Sequence, residues 1–308
     1  MIDIKLLEQL CLCNGISGDE GNVRNLIINE IKDCADDIKT DNLGNLIVFK
    51  KGKKSAKSKL MVSAHMDEVG LMVTDITSDG YLKFDEVGGI DRRVLPGKRV
   101  CVGRNGLNGV IGVKPIHLTN GDEKTAVPKM NDMYIDIGAE SREDALKYVN
   151  YGDGINFEGD FKINGKTVVT KALDDRFGCY VLINLIKSEP EYDMYFTFVV
   201  QEEVGLRGAR SAAFTVNPDF ALVIESTTAA DVAEVDVSHQ VCNLSKGATV
   251  TVMDRATVYD KEMISAAFEL AEKNNIAVQY KRAVAGGNDS GAIHQSRGGC
   301  LLYTSDAA

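Results

Sequence analysis

The sequence predicts a layered α/β fold interrupted by a small β-rich domain, and the change of texture along the chain is what predicts it. Before residue 69 and after residue 166, apolar stretches short enough for buried strands alternate with segments whose apolar residues recur at helical spacing. Between those limits, short β-rich stretches (GLMVTDI, YLKFDEV, KRVCVG, NGVIGVK, MYIDIGA, DGINFEG) are separated by Gly, Asn and Asp turns, the texture of an all-β module. The economical organisation is a discontinuous α/β domain, residues 1–68 with 167–299, carrying an inserted β-rich domain at residues 69–166. A chain of 308 residues is long for one core and comfortable for two.

The elements follow in order. Ser17 and Glu20 form a capping-box pattern ahead of Val23, Leu26, Ile27, Ile31 and Cys34, which predicts a helix over 18–34. Residues 46–50 and 59–65 read as strands joined by a basic loop. One short helical piece, 141–148, interrupts the β-rich region. Beyond it, 177–187 reads as a helix, 195–201 as a buried strand and 206–214 as another helix. Residues 220–225 form a further apolar strand and 258–274 a long amphipathic helix.

Composition narrows the function. Hydrophobic residues make up 44% and charged residues 26%, as in ordinary globular proteins, and no apolar run approaches the roughly 20 residues of a membrane span. The N-terminus lacks a basic region followed by a long apolar stretch, so no secretory leader is expected. A net charge of −10 argues against nucleic acid as a partner. The one basic cluster, KKGKKSAKSK at 50–59, contains no aromatic residue and reads as a solvated loop, with an anionic partner as the alternative. Seven scattered cysteines with no C-x-x-C pair read as thiols of a reducing cytoplasm.

Four segments place polar residues at the ends of apolar strands, where open α/β sheets gather their ligands. In SAHMDEVG, His65 and Asp67 are two apart and share a face in extended chain; the pair fits a metal ligand with its orienting carboxylate or a surface hydrogen bond. In KALDDRFGC, Asp174 and Asp175 precede a helix, as cap residues or as a carboxylate able to bridge two cations. In FTFVVQEEVGLRGAR, Glu202 and Glu203 follow a hydrophobic strand, where diverging neighbours let one bind metal while the other faces a nucleophilic water. In FALVIESTTAAD, Glu225 again ends an apolar strand, as a surface acid or a ligand. One imidazole and several carboxylates suit two divalent ions. A glycosidase pair fails on geometry, because adjacent residues cannot face one another across a glycosidic bond from about 5 Å or more. A G-x-S-x-G elbow and a phosphate-binding glycine loop are both missing.

The motifs AHMDEVGLMV, GGIDRRVLPGKRV, YIDIGA, KALDDRFGC, QEEVGLRGA and GGNDSGAIH run in the order of the M42 metallo-aminopeptidases. The chain resembles these tetrahedral, dodecameric enzymes, some labelled glutamyl aminopeptidase or endoglucanase, up to about Gly299. The resemblance implies an α/β zinc-peptidase catalytic domain with an inserted β-rich oligomerisation domain. It also implies two divalent ions, zinc or cobalt, and a cytoplasmic homo-oligomer that trims N-terminal residues from short peptides. Carried over by position, His65, Asp174, Glu203 and Glu225 are the metal ligands, with Asp174 bridging. Asp67 supports His65, and Glu202 is the general base. Glu225 stands where many members have aspartate, a longer arm with the same donor type.

The end of the chain departs from the family pattern. Members continue to an Arg-Tyr-Ile-His segment whose histidine is a further ligand, whereas residues 300–308, CLLYTSDAA, read as a translated transposon-end adapter. The expectation is a truncated chain with a non-native tail, one ligand short, an unpaired strand edge and impaired activity. His117, His239 and His294 match no ligand motif. The alternative to an enzyme is a non-catalytic scaffold or assembly subunit of the same fold.

Overall fold

The computed structural model describes residues 3–284 and 286–307. Helices α1 (Ile4–Leu12) and α2 (Gly21–Ile31) lead into β1 (Asp37–Thr40), β2 (Leu46–Lys50) and β3 (Leu60–His65). Next come β4 (Gly70–Ile76), β5 (Leu82–Val87), β6 (Arg99–Val102), β7 (Leu107–Val113), β8 (Met133–Asp136), α3 (Arg142–Ala145) and β9 (Gly154–Phe157). A hairpin of β10 (Lys162–Asn164) and β11 (Thr167–Val169) precedes α4 (Leu173–Lys187), β12 (Met194–Val199), α5 (Arg207–Val216) and β13 (Phe220–Ser226). The chain then runs through β14 (Ala248–Val250), α6 (Lys261–Lys273), β15 (Val278–Tyr280), α7 (Ser290–Ile293) and β16 (Leu301–Ala307).

Two compact units result, one of residues 3–13, 20–67 and 172–307, the other of residues 14–19 and 68–171. The second unit is a closed barrel in the order β4-β5-β8-β7-β6-β9. Its inward positions alternate along each strand, Leu71 with Val73, Leu82 with Phe84 and Val100 with Val102, and they fill the interior.

The first unit is built on an eight-stranded sheet in the order β1-β2-β12-β3-β13-β16-β14-β15. Its centre is parallel: β3 pairs with β12 on one side and β13 on the other. Strands covered on both faces read as continuous apolar runs, and β3 is buried from Met61 to His65. Against one face lie Ala209, Ala212 and Val216 of α5, Ile264 of α6 and Ile293 of α7, packed with Val199, Val223, Val250 and Leu302. Residues 301–307, read from the sequence as part of a non-native tail beside an unpaired strand edge, form β16 between β13 and β14, in register from Phe220↔Leu301 to Ser226↔Ala307. The alternation of buried Leu302, Thr304 and Asp306 with more exposed neighbours fits the segment to this slot. The outer edge of β13 is therefore paired, not open.

Helix α2 begins three residues later than the capping-box pattern predicts. Glu20 stands at the N-cap without capping, and its carboxylate accepts the main-chain N–H of Gln201 instead. Helix α1, which periodicity alone did not single out, starts at Asp3, whose side chain accepts from the N–H of Leu6, and buries Leu6, Leu7, Leu10 and Cys11. The basic loop is engaged with its own chain: Lys50 donates to the Cys34 carbonyl, Lys54 pairs with Glu191 at 2.7 Å, and Lys59 donates to the Val216 carbonyl. Among the described residues no helix is long and apolar enough to cross a membrane.

Arg176 of α4 is the largest fully buried side chain. Its guanidinium donates to the carbonyls of Met66 at 2.7 Å, Leu10 at 2.6 Å and Cys13 at 2.7 Å, so it joins α4 to the end of β3 and to α1. Hydrogen bonds from a charged donor contribute roughly 1.5–3 kcal/mol each, and a methionine would leave three buried acceptors unmet. Arg176→Met is expected to lower the unfolding free energy by at least about 3 kcal/mol, measured by urea denaturation. An unchanged urea midpoint would show that these carbonyls find other partners.

Candidate active site

The neighbouring strands β12, β3 and β13 end on the same edge of the sheet, and that edge carries the candidate ligands. Val199 is level with His65 across the β12–β3 pair. Val223 is level with Ser63 across the β13–β3 pair, so Glu225, two residues on, comes level with His65. Asp174 and Asp175 lie in the first turn of α4 with non-helical backbone angles, and the peptide between them is cis. Their roles separate. Asp174 has an exposed side chain over the site. Asp175 is fully buried, and its carboxylate accepts from the N–H of His65 at 3.2 Å and of Gly178 at 2.9 Å. A Cβ on Gly178 would fall 2.3 Å from that carboxylate, which is why the position has no side chain.

Glu202 and Glu203 are not on a strand, as expected from the apolar run before them. β12 stops at Val199, and Gln201 takes a positive φ of 57° that breaks the extended chain. Four consecutive N–H groups of this turn are held by side chains from elsewhere. Val200 donates to Asn45 at 3.0 Å, Gln201 to Glu20 at 3.1 Å, Glu202 to Asp67 Oδ1 at 3.0 Å and Glu203 to Asp67 Oδ2 at 3.1 Å. The two glutamates therefore do not diverge as strand neighbours would: both bring a carboxylate oxygen within 4.8 Å of a His65 ring nitrogen.

His65 is the centre of the arrangement. Its Nδ1 lies 3.0 Å from the main-chain carbonyl of Asp67 and 3.5 Å from the Asp67 carboxylate. The carbonyl, not the side chain expected from the sequence, is the closer partner. Donation from Nδ1–H leaves the Nε2 lone pair facing Asp174 Oδ1 at 3.3 Å and Glu225 Oε2 at 3.7 Å. Ligand atoms about 2.1 Å from one ion at tetrahedral angles are roughly 3.4 Å apart, so this spacing fits a divalent cation between the three side chains. The second oxygen of Glu225, Oε1, is buried with no hydrogen-bond partner. A donor set of imidazole and carboxylates, with an orphaned oxygen, fits the metal the sequence implies. The same residues line a cleft of about 270 Å³ with Glu202, Glu203, Thr227, Lys281 and Asn288.

Charge crowding is the cost of this design. Burial, reinforced by Asp175, Asp174 and Glu202, pushes the Glu225 carboxyl well up. Burial and its acidic neighbours Glu202, Asp174 and Asp67 raise Glu203 to about 7, and burial also raises Glu202. Burial opposes a charge on His65, but Glu225, Asp174 and Asp67 outweigh it and hold the ring proton well above the ordinary range. The cluster demands positive charge.

The structure thus brings together His65, Asp174, Glu202, Glu203 and Glu225, with Asp67 behind them. His117, His239 and His294 belong to neither ligand group. The sequence pattern marked Glu20 as a capping-box residue and Asp175 as a cap or bridging carboxylate and left Asn45 without a role, yet all three hold the frame. It also gave no role to Asp289, a fully buried acid within the quoted motif GGNDSGAIH that feels the charge of Glu202. Its signal was a charged residue among small ones ahead of a helix.

The profile of the M42 glutamyl aminopeptidases matches residues 44–304. A protein of Acetivibrio thermocellus provisionally designated an aminopeptidase is 44% identical over 96% of this chain and 86% of its own. The lysyl aminopeptidase of Pyrococcus furiosus is 34% identical over 91% of this chain and 81% of its own. Among solved structures, the TET1 peptidase of Pyrococcus horikoshii superposes with a TM-score of 0.85 at 39% identity, covering 98% of this chain and 90% of that one.

A pH dependence follows from the crowded acids. Glu203 ionises near 4.5 in the unfolded chain and near 7 in the fold, so the folded state holds the extra proton between those values. Stability therefore falls as pH rises from about 5 to 7, and His65, whose proton is also held more tightly in the fold, acts in the same direction. With divalent ions chelated, the melting temperature is expected to drop between pH 5 and 8, and zinc or cobalt is expected to restore it most at pH 8. A melting temperature that rises over this range under chelation would contradict the assigned crowding.

Proposed function

This chain belongs to the M42 glutamyl aminopeptidase family and is a peptide hydrolase, and from that premise we propose that it removes N-terminal residues from short peptides with two divalent metal ions. The observation that carries the reading is the trio His65, Asp174 and Glu225, whose facing atoms have the spacing of ligands around one cation. In this reading those three residues would hold one ion, and Asp174 with Glu203 would hold a second. Divalent ions there supply the positive charge that polarises a peptide carbonyl and acidifies water.

The remaining work belongs to the chain's own side chains. Glu202 accepts the proton of the attacking water and delivers it to the departing amine; burial raises its pKa toward working pH, which suits a base that must also act as an acid. Asp67 fixes the His65 ring through its carbonyl and the Glu202–Glu203 turn through its carboxylate. Ser226, Thr227 and Asn288 border the cleft where the peptide's first residues would lie. The presence of His65, Asp174, Glu202, Glu203 and Glu225 together favours an enzyme over a scaffold subunit of the same fold. Likeness to the Pyrococcus horikoshii peptidase, described as assembling into a tetrahedron or an octahedral shell, supports a homo-oligomer. Seven free cysteines suit a reducing cytoplasm.

Glu202→Gln is expected to keep nearly full metal content while turnover on short peptides falls about 10²-fold or more. Wild-type turnover in that variant would remove Glu202 from the mechanism. Metal titration is expected to show two steps, because the first proposed site offers three donors, one an imidazole, and the second two carboxylates. His65→Ala should abolish the tighter step, monitored by calorimetry; a tight step surviving that substitution would disprove the trio as its site.

A further inference from the structure

A second groove of about 570 Å³ shares no lining residue with the active-site cleft, and its chemistry is of the opposite sign. Arg207 and Arg210 reach it from successive turns of α5, and Arg297 faces them from the segment after α7. In a protein of net charge −10, none of these three arginines makes an ion pair among the described residues. The acid joined to this wall by hydrogen bonding, Asp41, accepts from Ser211 and is already held by the N–H groups of Leu43, Gly44 and Asn45.

Arg297 is held in place rather than free. Its guanidinium lies 3.9 Å from the Phe214 ring centroid, and its Nε donates to the Phe214 carbonyl at 2.7 Å. That leaves both terminal nitrogens of the fork for a ligand. Its backbone takes φ = 53°, a left-handed conformation that disfavours a side chain, although Gly298 and Gly299 stand beside it. An arginine stacked on Phe214 and without an ion pair thus faces two more across a groove of small-ligand size, of which Arg207 spends one N–H on Gln201 Oε1 at 3.4 Å, and the remaining forked donors suit a polyanion.

We propose that this groove binds a small organic anion carrying two or more phosphate or carboxylate groups, bridged between Arg207 and Arg210 on one side and Arg297 on the other. Such a ligand would tie α5, which follows the Glu202–Glu203 turn directly, to the segment after α7. The groove's size and the net negative charge select a small molecule over nucleic acid.

The test is calorimetric titration of the metal-loaded protein with propane-1,3-diol bisphosphate and, separately, with tricarballylate, alongside Arg210→Gln, Arg210→Lys and Arg297→Gln. One equivalent of at least one anion should bind per chain, and each glutamine variant should weaken it tenfold or more. Arg210→Lys should fall between wild type and Arg210→Gln, because it keeps the charge and loses the fork. Which anion binds identifies phosphate or carboxylate as the group recognised. Both side chains are exposed, so the variants are expected to fold, as circular dichroism and unchanged metal content would verify. Absence of binding by both anions overturns the proposal. So does binding of equal strength in wild type and the glutamine variants, which would locate the anion elsewhere, at the metals for example.

Discussion

The carboxylate of Asp67 accepts the main-chain N–H groups of Glu202 and Glu203, one on each oxygen, while its carbonyl receives the ring of His65. One fully buried residue thereby ties the turn after β12 to the end of β3 and decides where the imidazole and both glutamates can be. The link is strong because it is dry and charge-assisted: each N–H left unmet in such a place costs about 1–3 kcal/mol. Glu20 and Asn45 extend the same device to Gln201 and Val200, so the turn is suspended from buried acceptors along its first four residues. In the proposed reaction a substrate would meet a turn that is already ordered, as preorganised catalysis requires.

Parallel pairing explains why donors so far apart in sequence meet. β12, β3 and β13 are neighbours running the same way, so the residues leaving each strand emerge together. Register then sets the level. His65 and Glu225 face one another because two steps separate Ser63 from His65 and Val223 from Glu225. At that distance a glutamate reaches Nε2 with one oxygen and leaves the other unpaired, so the longer arm is accommodated without moving the strand. Gly208 closes the frame from behind: a Cβ there would lie 2.3 Å from both Asn45 Oδ1 and the Val200 carbonyl, so α5 can begin close against the turn only because glycine stands there.

Much of this was legible in the sequence. Apolar runs gave β2 and β13 nearly to the residue, since burial on both faces makes a strand read as unbroken hydrophobicity. Charged residues closing those runs marked His65, Asp67, Asp174, Glu202, Glu203 and Glu225, all of which converge. What local pattern missed were contacts between distant residues. Nothing near Glu20 tells that its carboxylate will serve Gln201 rather than cap its own helix, and nothing near Asp175 tells that it will turn inward to His65. The Glu202–Glu203 turn was misread for the same reason: β propensity runs through Val200, and the break at Gln201 is imposed by tertiary acceptors. The place of residues 301–307 depended on a slot whose walls, β13 and β14, lie far back in the chain.

The burial of so many acids beside one imidazole decides what the cleft is for. A fold selected for stability alone would dilute Glu202, Glu203, Glu225 and Asp175 with water or pair them with arginine. Here burial raises the carboxyl of each instead. Lys281, the one ammonium lining the cleft, is turned to Asp306 at 3.4 Å, and the other basic side chain there, His65, is itself one of the proposed ligands. The chain's own cations thus leave the cluster undercompensated, and a proton can relieve it only by removing a ligand's lone pair. A divalent ion would relieve it without taking up those lone pairs with protons, which would couple the folding energy of the sheet edge to metal binding. Stability at neutral pH and the chemistry of the cleft then rest on the same crowded acids.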